Sequence, residues 1–366
     1  LKGLQTTVWL ASVILVAGSA HAQVDPASGI DFVMVGAPGN PAWQGNGTPG
    51  DSAIGRGSVA YEYRIGKFEV TSAQWAEFFS AAFDRPTSER IPHLFEPSQW
   101  GGGSIPGTVP GGRRFVTTPQ TAMLPAGGIT WRTAAIYCNW LHNGKATNRE
   151  AFLSGAYDVS TFGYFGNIFT DQTVRSEGAR YFIPTLDEWI KGAHYDPNKA
   201  NPDGSTGGYW FWGNQTDGSI PNFPLGGPPP SLGGNGVANY GWDSLSHPNL
   251  SPFQVPLGAY TGVTSPWGLF DVMGATSEYT ESFIRDVTGY QELIYDGSAW
   301  NSSIGNGASD SIRGFRSALP NEGTFDQGFR IAAAIPSVGT ATAMLVLGAL
   351  SGTRRRRFSC GGMTSL

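Results

Sequence analysis

The sequence has only two cysteines, Cys138 and Cys360, in 366 residues. That excludes a disulfide scaffold, and Cys360 lies beyond a run of four arginines, which argues against a bridge between the two. Charge is scarce as well, at 14% of the chain. Basic residues number 23 against 28 acidic ones. Lys2 and Arg354 to Arg357 sit in terminal segments that hold no acid, so the middle is more acidic than the whole. That balance argues against nucleic-acid binding. Histidine occurs five times, with no H-x-x-x-H or H-E-x-x-H pair. There is no G-x-S-x-G elbow for a serine hydrolase. No apolar run reaches the roughly 20 residues of a membrane-crossing helix.

What is abundant is glycine (52), proline (25) and aromatic residues, 13% of the chain with 12 tryptophans. This composition fits a loop-rich globular protein with ample core material, not a helical bundle. The ends read differently from the middle. Residues 1–22 have the form of a secretory signal: Lys2, an apolar run from Val8 to Ala17, and the small-residue site Ala20-His21-Ala22. Residues 336–366 combine an apolar run, Val338 to Leu350, with the arginine cluster, which reads as a stop-transfer or sorting tail. The tail resembles the PEP-CTERM sorting signal of some Gram-negative bacteria, with Ile335-Pro336-Ser337 in place of Pro-Glu-Pro. An exported protein at the cell surface or outside the cell is expected.

Between the ends, one domain is expected over about residues 28–335. Phe32 to Val35 and Tyr61 to Val70 have strand composition. Gly45 to Gly50 matches G-x-G-x-x-G but opens no helix pattern, so it reads as a loop. Thr71 to Gln74 is a capping box that predicts a helix over 72–83. Thr130 caps a predicted helix over 131–142, in which Cys138 falls on the apolar face and reads as core. Thr185 to Glu188 is a second capping box, for a helix running to about His194. Residues 84–125 and 195–260 read as irregular. Asp196, Asn198, Asn201 and Asp203 do not fit EF-hand ligand spacing and read as turn residues.

The stretch with the most chemistry is Ser265 to Thr280, SPWGLFDVMGATSEYT. Asp271 and Glu278 flank the small residues Gly274, Ala275 and Thr276, which suit a tight turn with exposed carbonyls. Two carboxylates and turn carbonyls are the parts of a calcium site. From spacing alone they are equally the parts of a surface turn with two solvated acids.

The segment resembles the formylglycine-generating enzyme (sulfatase-modifying factor) family, whose pattern runs roughly G-L-x-D-M-x-G-N-x-x-E-W. It appears here as Gly268-Leu269, Asp271-Val272-Met273-Gly274, Ala275, then Glu278-Tyr279, with Gly268, Leu269, Asp271, Gly274 and Glu278 in the pattern's fixed positions. Ala275 and Tyr279 depart from it. FEVTSAQWAEF, GITWRTAAIYCNWL, YFIPTLDEWIKGA, GSAW and GFRIA resemble further segments of the family in the same order. The resemblance implies an α+β, C-type-lectin-like fold with little regular structure. It implies calcium at Asp271, Glu278 and the carbonyls of Gly274 and Thr276. It also implies a weaker second calcium site at Asn239, Tyr240 and Asn249. The family oxidises a sulfatase cysteine with O2 at a copper-binding cysteine pair just after the G-G-S segment. Here that region, Ser298 to Gly307, has Asn301, Ser302, Ser303 and Asn306 and no cysteine. Copper is therefore not expected, since Cu(I) sites need soft thiolates. Related branches hold non-haem iron through histidines and a carboxylate. That would require His93, His142, His194 and His247 to converge through the fold. The expected function is a calcium-stabilised binding or structural module for an extracellular protein, peptide or glycan. The tail would meet sorting machinery. A metal-dependent oxidoreductase of the same superfamily is the alternative.

Overall fold

The computed structural model describes residues 23–47, 50–217, 226–242, 245–285, 289–301 and 311–336. The proposed export signal and sorting tail lie outside the described residues. Among the described residues no helix is long and apolar enough to cross a membrane.

Strands β1 (Gln23–Val24), β2 (Asp31–Val35) and β3 (Tyr63–Gly66) precede helix α1 (Ser72–Phe83). A hairpin, β4 (Gly102–Pro106) and β5 (Arg113–Thr117), leads to helices α2 (Trp131–His142) and α3 (Glu150–Leu153). Strands β6 (Tyr164–Phe165), β7 (Ile168–Phe169) and β8 (Tyr181–Phe182) follow, then helix α4 (Leu186–His194). After a second hairpin, β9 (Tyr195–Ala200) and β10 (Thr206–Tyr209), come the long strands β11 (Ser277–Arg285) and β12 (Gln291–Asp296). Short strands β13 (Arg316–Ala318), β14 (Gln327–Gly328) and β15 (Ala332–Ala333) are the last elements among the described residues.

The three main helices begin and end where the capping residues predict. Thr71 and Thr185 each form a full capping box, with Gln74 and Glu188, and the Thr130 side chain accepts from Thr133 N. At α4 the Thr185 hydroxyl accepts from Glu188 N at 3.1 Å, and the Glu188 carboxylate accepts from Thr185 N at 2.7 Å. Thr185→Ala removes one of these and should cost about 1 kcal/mol, read as a lower Tm.

The chain ends knit the fold. In the five-stranded sheet β1-β2-β3-β15-β8, β15 is paired between β3 and β8, with Ala332 opposite both Ile65 and Phe182. In the four-stranded sheet β13-β12-β11-β14, β14 runs parallel to the start of β11, with Gly328 opposite Glu278. Gly328 cannot be replaced, because a Cβ there would lie 2.2 Å from Thr276 Oγ1.

One core packs α1 on α2 through Trp75, Phe78 and Tyr137, with the Phe78 ring 5.1 Å from that of Tyr137. Cys138 is buried in this core, as its helical position predicts. A second core, around Tyr63, Ile65, Trp189 and Leu269, lies under α4 and the motif loop.

Two segments expected to be irregular contain hairpins. Gly102 and Gly103 pair with Thr117 and Val116, and the Phe115 ring packs 5.2 Å from Phe79. Glycine and proline hide this strand from composition, because its partner and not its side chains holds it extended. In the second hairpin Asn201, Asp203 and Ser205 form the turn, as expected for Asn201 and Asp203, whereas Asp196 and Asn198, also expected in a turn, lie in β9. Ser205 N donates to Asp203 Oδ1 at 3.0 Å, and Asn201 N to Ser205 O at 3.0 Å.

Candidate functional site

The motif loop coils tightly before it enters β11. Gly268, Asp271, Gly274 and Ala275 all have left-handed backbone, with φ of 88°, 56°, 85° and 58°. Aspartate tolerates this region because its short polar side chain bonds locally. Alanine does not, and Ala275 carries strain of about 1 kcal/mol. Gly274 is obligatory: a Cβ would lie 2.6 Å from the Asn239 carbonyl oxygen. Gly274 N donates to Ser298 Oγ at 2.8 Å, and Trp300 N donates to the Ala275 carbonyl at 3.0 Å. The G-S-A-W segment thus clamps the loop from one side. Asn239 clamps it from the other, accepting at its carbonyl from Ala275 N at 3.3 Å.

Behind the loop lies a buried charge network. Both oxygens of Glu278 meet the guanidinium of Arg330, and Trp189 Nε1 donates to Glu278 Oε2 at 2.8 Å. Arg330 also donates to the carbonyls of Gly66 and Phe270, at 3.0 and 3.1 Å. The side chains of Glu278 and Arg330 are 1% and 0% exposed, so this is an ion pair fully withdrawn from water. Thr276 is held by a third acid, Glu69. Its N–H and hydroxyl donate to Glu69 Oε1 and Oε2, at 3.1 and 2.5 Å. Burial, and then the charge of Glu278, push the Glu69 carboxyl well above the usual carboxylate range. Asp271 Oδ2 accepts from Gly258 N at 2.7 Å. Burial raises its pKa to about 6, against the pull of that N–H and of Arg330.

Of these three acids Glu278 alone pairs with the guanidinium. Glu69 is held by Thr276 and its raised pKa favours the neutral form, so Asp271 is the acid left for a divalent cation. Arg330 limits where one can bind, because it already occupies one side of Glu278. Among the described residues no three His, Cys, Asp or Glu side chains gather closely enough to hold a metal ion. Calcium here would depend on main-chain oxygens of Gly274 and Thr276, with Asp271 as its main charged ligand. At the expected second site, Asn239 is buried and its side chain is committed to Pro252 O and Trp242 Nε1. Tyr240 is core, and Asn249 is exposed on a turn.

The other candidate chemistry is dispersed. Burial pushes the Cys138 thiol well up, so it is not a ready thiolate. His194 is buried, with its pKa lowered to about 4, and its Nδ1 lies 3.2 Å from Trp210 O. His142 Nδ1 accepts from Arg180 N, His93 stacks edge-on to Phe162, and His247 packs against Trp242. In the region matched to the family's cysteine pair, Ser298 and Trp300 are buried supports and Asn301 is exposed. Residues 302–310 lie outside the described residues.

A second network escapes sequence reasoning. Arg175 joins Glu188 and Glu281, with contacts of 2.7–3.0 Å, and its guanidinium lies 3.7 Å over the Phe182 ring. Tyr157 donates to Glu281 at 2.6 Å and Tyr61 to Glu188 at 2.8 Å. Burial raises the Glu281 pKa to about 8 despite Arg175 and Tyr157. The only sequence signal is Glu188, and it reads as a helix cap.

The model of the sulfatase-modifying factor enzyme 1-like domain matches residues 34–335. The chain belongs to this family. Its mixed α+β, loop-rich fold is the family's fold. CarF, a solved structure, is similar, with 18% identity, 84% of this chain and 98% of that chain covered, and a TM-score of 0.50. Variable protein 1 of Treponema denticola has 17% identity, 86% and 99% coverage, and a TM-score of 0.48. PvdO of Pseudomonas aeruginosa has 14% identity, 87% and 100% coverage, and a TM-score of 0.47. No curated protein matches the sequence. Within the family, the motif loop, the G-S-A-W clamp and the G-F-R arginine of this chain form one packed unit, whatever chemistry it supports.

Proposed function

We propose that this sulfatase-modifying-factor domain is an exported binding module without formylglycine oxidase chemistry, stabilised by calcium at the motif loop. The observation that carries this reading is the absence of thiolate donors. The sequence holds only Cys138, which is buried in α2, and Cys360, in the tail. A copper-thiolate oxidase needs two thiolates at one exposed point. Export rests on the signal-like residues 1–22 and the tail 336–366. Calcium rests on Asp271, with the carbonyls of Gly274 and Thr276 as further ligands; Glu278, the other ligand the resemblance implies, has both oxygens on Arg330. Bound there, calcium would neutralise Asp271 and fix the left-handed turns.

The test pairs metal analysis with an activity assay. The purified chain should carry calcium near one or two per molecule, without stoichiometric copper or iron. It should leave the thiol of a cysteine-containing sulfatase peptide intact under O2. Stoichiometric copper or iron, or conversion of that peptide, would overturn the reading. Asp271→Asn separates calcium from simple packing, because the amide can still accept from Gly258 N. Calcium should raise the Tm of the wild type and not of the variant. In chelator the variant should be at least as stable at pH 7, since it has lost a buried charge.

A further inference from the structure

Far along the chain from the motif loop, the loop at Pro41–Asn46 faces the β9–β10 hairpin across an open cleft of about 690 Å³. That size suits a small organic ligand. One wall is Trp43. Its ring stands edge-on to Tyr209, with centroids 5.9 Å apart, and its indole N–H donates to Asp51 Oδ2 at 2.8 Å. Its main chain is pinned too: Trp43 N donates to Arg56 O and Gly55 N to Trp43 O, both at 2.8 Å. The indole is therefore a fixed aromatic plate, only partly covered. Opposite it the hairpin is bare. Gly207 and Gly208 are adjacent in β10, and an ideal Cβ on Gly208 would have no neighbour nearer than 3.5 Å.

The one lysine of the cleft lining is already paired. Lys199 donates to the Tyr209 carbonyl, pairs with Asp217 at 2.8 Å and lies over the Trp210 ring at 4.4 Å. Asp217 also accepts from Phe211 N at 3.1 Å. The lysine thus has its counter-ion in Asp217, whose side chain is itself exposed. The rim is left to Gln44, Asn201 and Asp203. Asn201 Nδ2 donates to Ser205 Oγ and Gly207 O, and Gln44 Nε2 to Ala42 O, so what these groups offer is mainly acceptor oxygens, which hydroxyls can donate to. Asn201 and Asp203 are held by the hairpin turn, so little ordering remains to be done on binding.

A fixed aromatic plate facing planar polar groups across a bare floor matches a ligand with one apolar C–H face and an edge of hydroxyls. We propose that this cleft is a saccharide-binding site, with Trp43 as the stacking platform and Gln44, Asn201 and Asp203 as hydroxyl partners. This deepens the binding-module reading and rests on it, while using none of the calcium residues.

The experiment is the full-length protein on a printed array of neutral and acidic oligosaccharides, followed by calorimetric titration of the best-bound one. Trp43→Ala and Gly208→Leu are compared with the wild type. Gly208 follows a register shift in the hairpin, but its backbone is not left-handed and a Cβ there meets nothing nearer than 3.5 Å, so leucine should fill the cleft and leave the Tm unchanged. Each variant should weaken binding at least tenfold, and the wild type should bind equally well in chelator. No array binding, or binding that both variants leave intact, overturns the site while the calcium and oxidase tests stand. Peptide-array binding that Gly208→Leu abolishes, without saccharide binding, overturns it in favour of a peptide ligand.

Discussion

Glu278→Ala should destabilise the folded domain by about 3–5 kcal/mol, and Arg330→Ala by at least as much. The reason is what each change leaves behind. Arg330 is 0% exposed, and among the described residues Glu278 is its ion-pair partner. Without the carboxylate, a guanidinium remains in a dry site with two carbonyls for partners, Gly66 and Phe270. Without the guanidinium, Glu278 is left as a buried carboxylate with Trp189 Nε1 as its hydrogen-bond donor. Replacing both, as Glu278→Met with Arg330→Met, removes the charges together and should cost less than either single change, because no charge is stranded. Urea unfolding of the four proteins in chelator is the measurement. A single variant within about 1 kcal/mol of the wild type would refute the argument. The chelator matters: loss of stability in Glu278→Ala tests the ion pair, whereas Asp271→Asn tests calcium.

This pair also marks how far the sequence can be read. Asp271, Gly274, Thr276 and Glu278 are close along the chain, so a short pattern brings them together. The left-handed turns at Gly268 and Gly274 are foreshadowed by glycine itself. The helices are legible for the same local reason, since Thr71, Thr130 and Thr185 mark their own first turns. The partners are not legible. Glu69 lies 207 residues from Thr276, and Arg330 lies 52 from Glu278. Both fall inside segments resembling the family, FEVT and GFRIA, but a one-dimensional pattern does not say that two segments touch. β14 brings Arg330 to Glu278 by pairing parallel to β11. The Arg175 network is hidden more deeply. Tyr157, Arg175 and Glu281 sit in segments without a periodic pattern, and Glu188 already has a sufficient local role. The glycine-rich hairpins escape because their extended shape comes from pairing, not from β-branched side chains.

The Arg175 network leads to the other large effect, a stability that falls as pH rises. Glu281 has an ordinary pKa of 4.5 and is raised to about 8 in the fold, first by burial. The folded state therefore holds a proton that the unfolded chain has already lost. Stability from this group is fully present below about pH 4.5 and drains away as pH rises through 8. Asp271 acts with the same sign, in a window between its ordinary 3.8 and about 6. The loss from Glu281 should amount to a few kcal/mol between about pH 5 and 9, since each pH unit separating the folded and unfolded pKa is worth about 1.4 kcal/mol. Lys191 acts in the opposite sense. Its pKa is lowered to about 8 by burial, so folding gains stability from it as pH rises from 8 toward 10.5. The wild-type profile mixes these contributions, and a variant separates them. In Glu281→Gln the amide oxygen can still accept from Tyr157 and from Arg175 N, and Arg175 keeps Glu188 as its counter-ion. The variant should decline less than the wild type between about pH 6 and 8, part of the remainder belonging to Glu69, whose carboxyl burial also raises, and at about pH 9 it should be the more stable of the two. Unfolding midpoints at roughly pH 5, 7 and 9 decide the matter. Parallel profiles would mean that Glu281 stays ionised throughout, and that Arg175 satisfies both carboxylates at once.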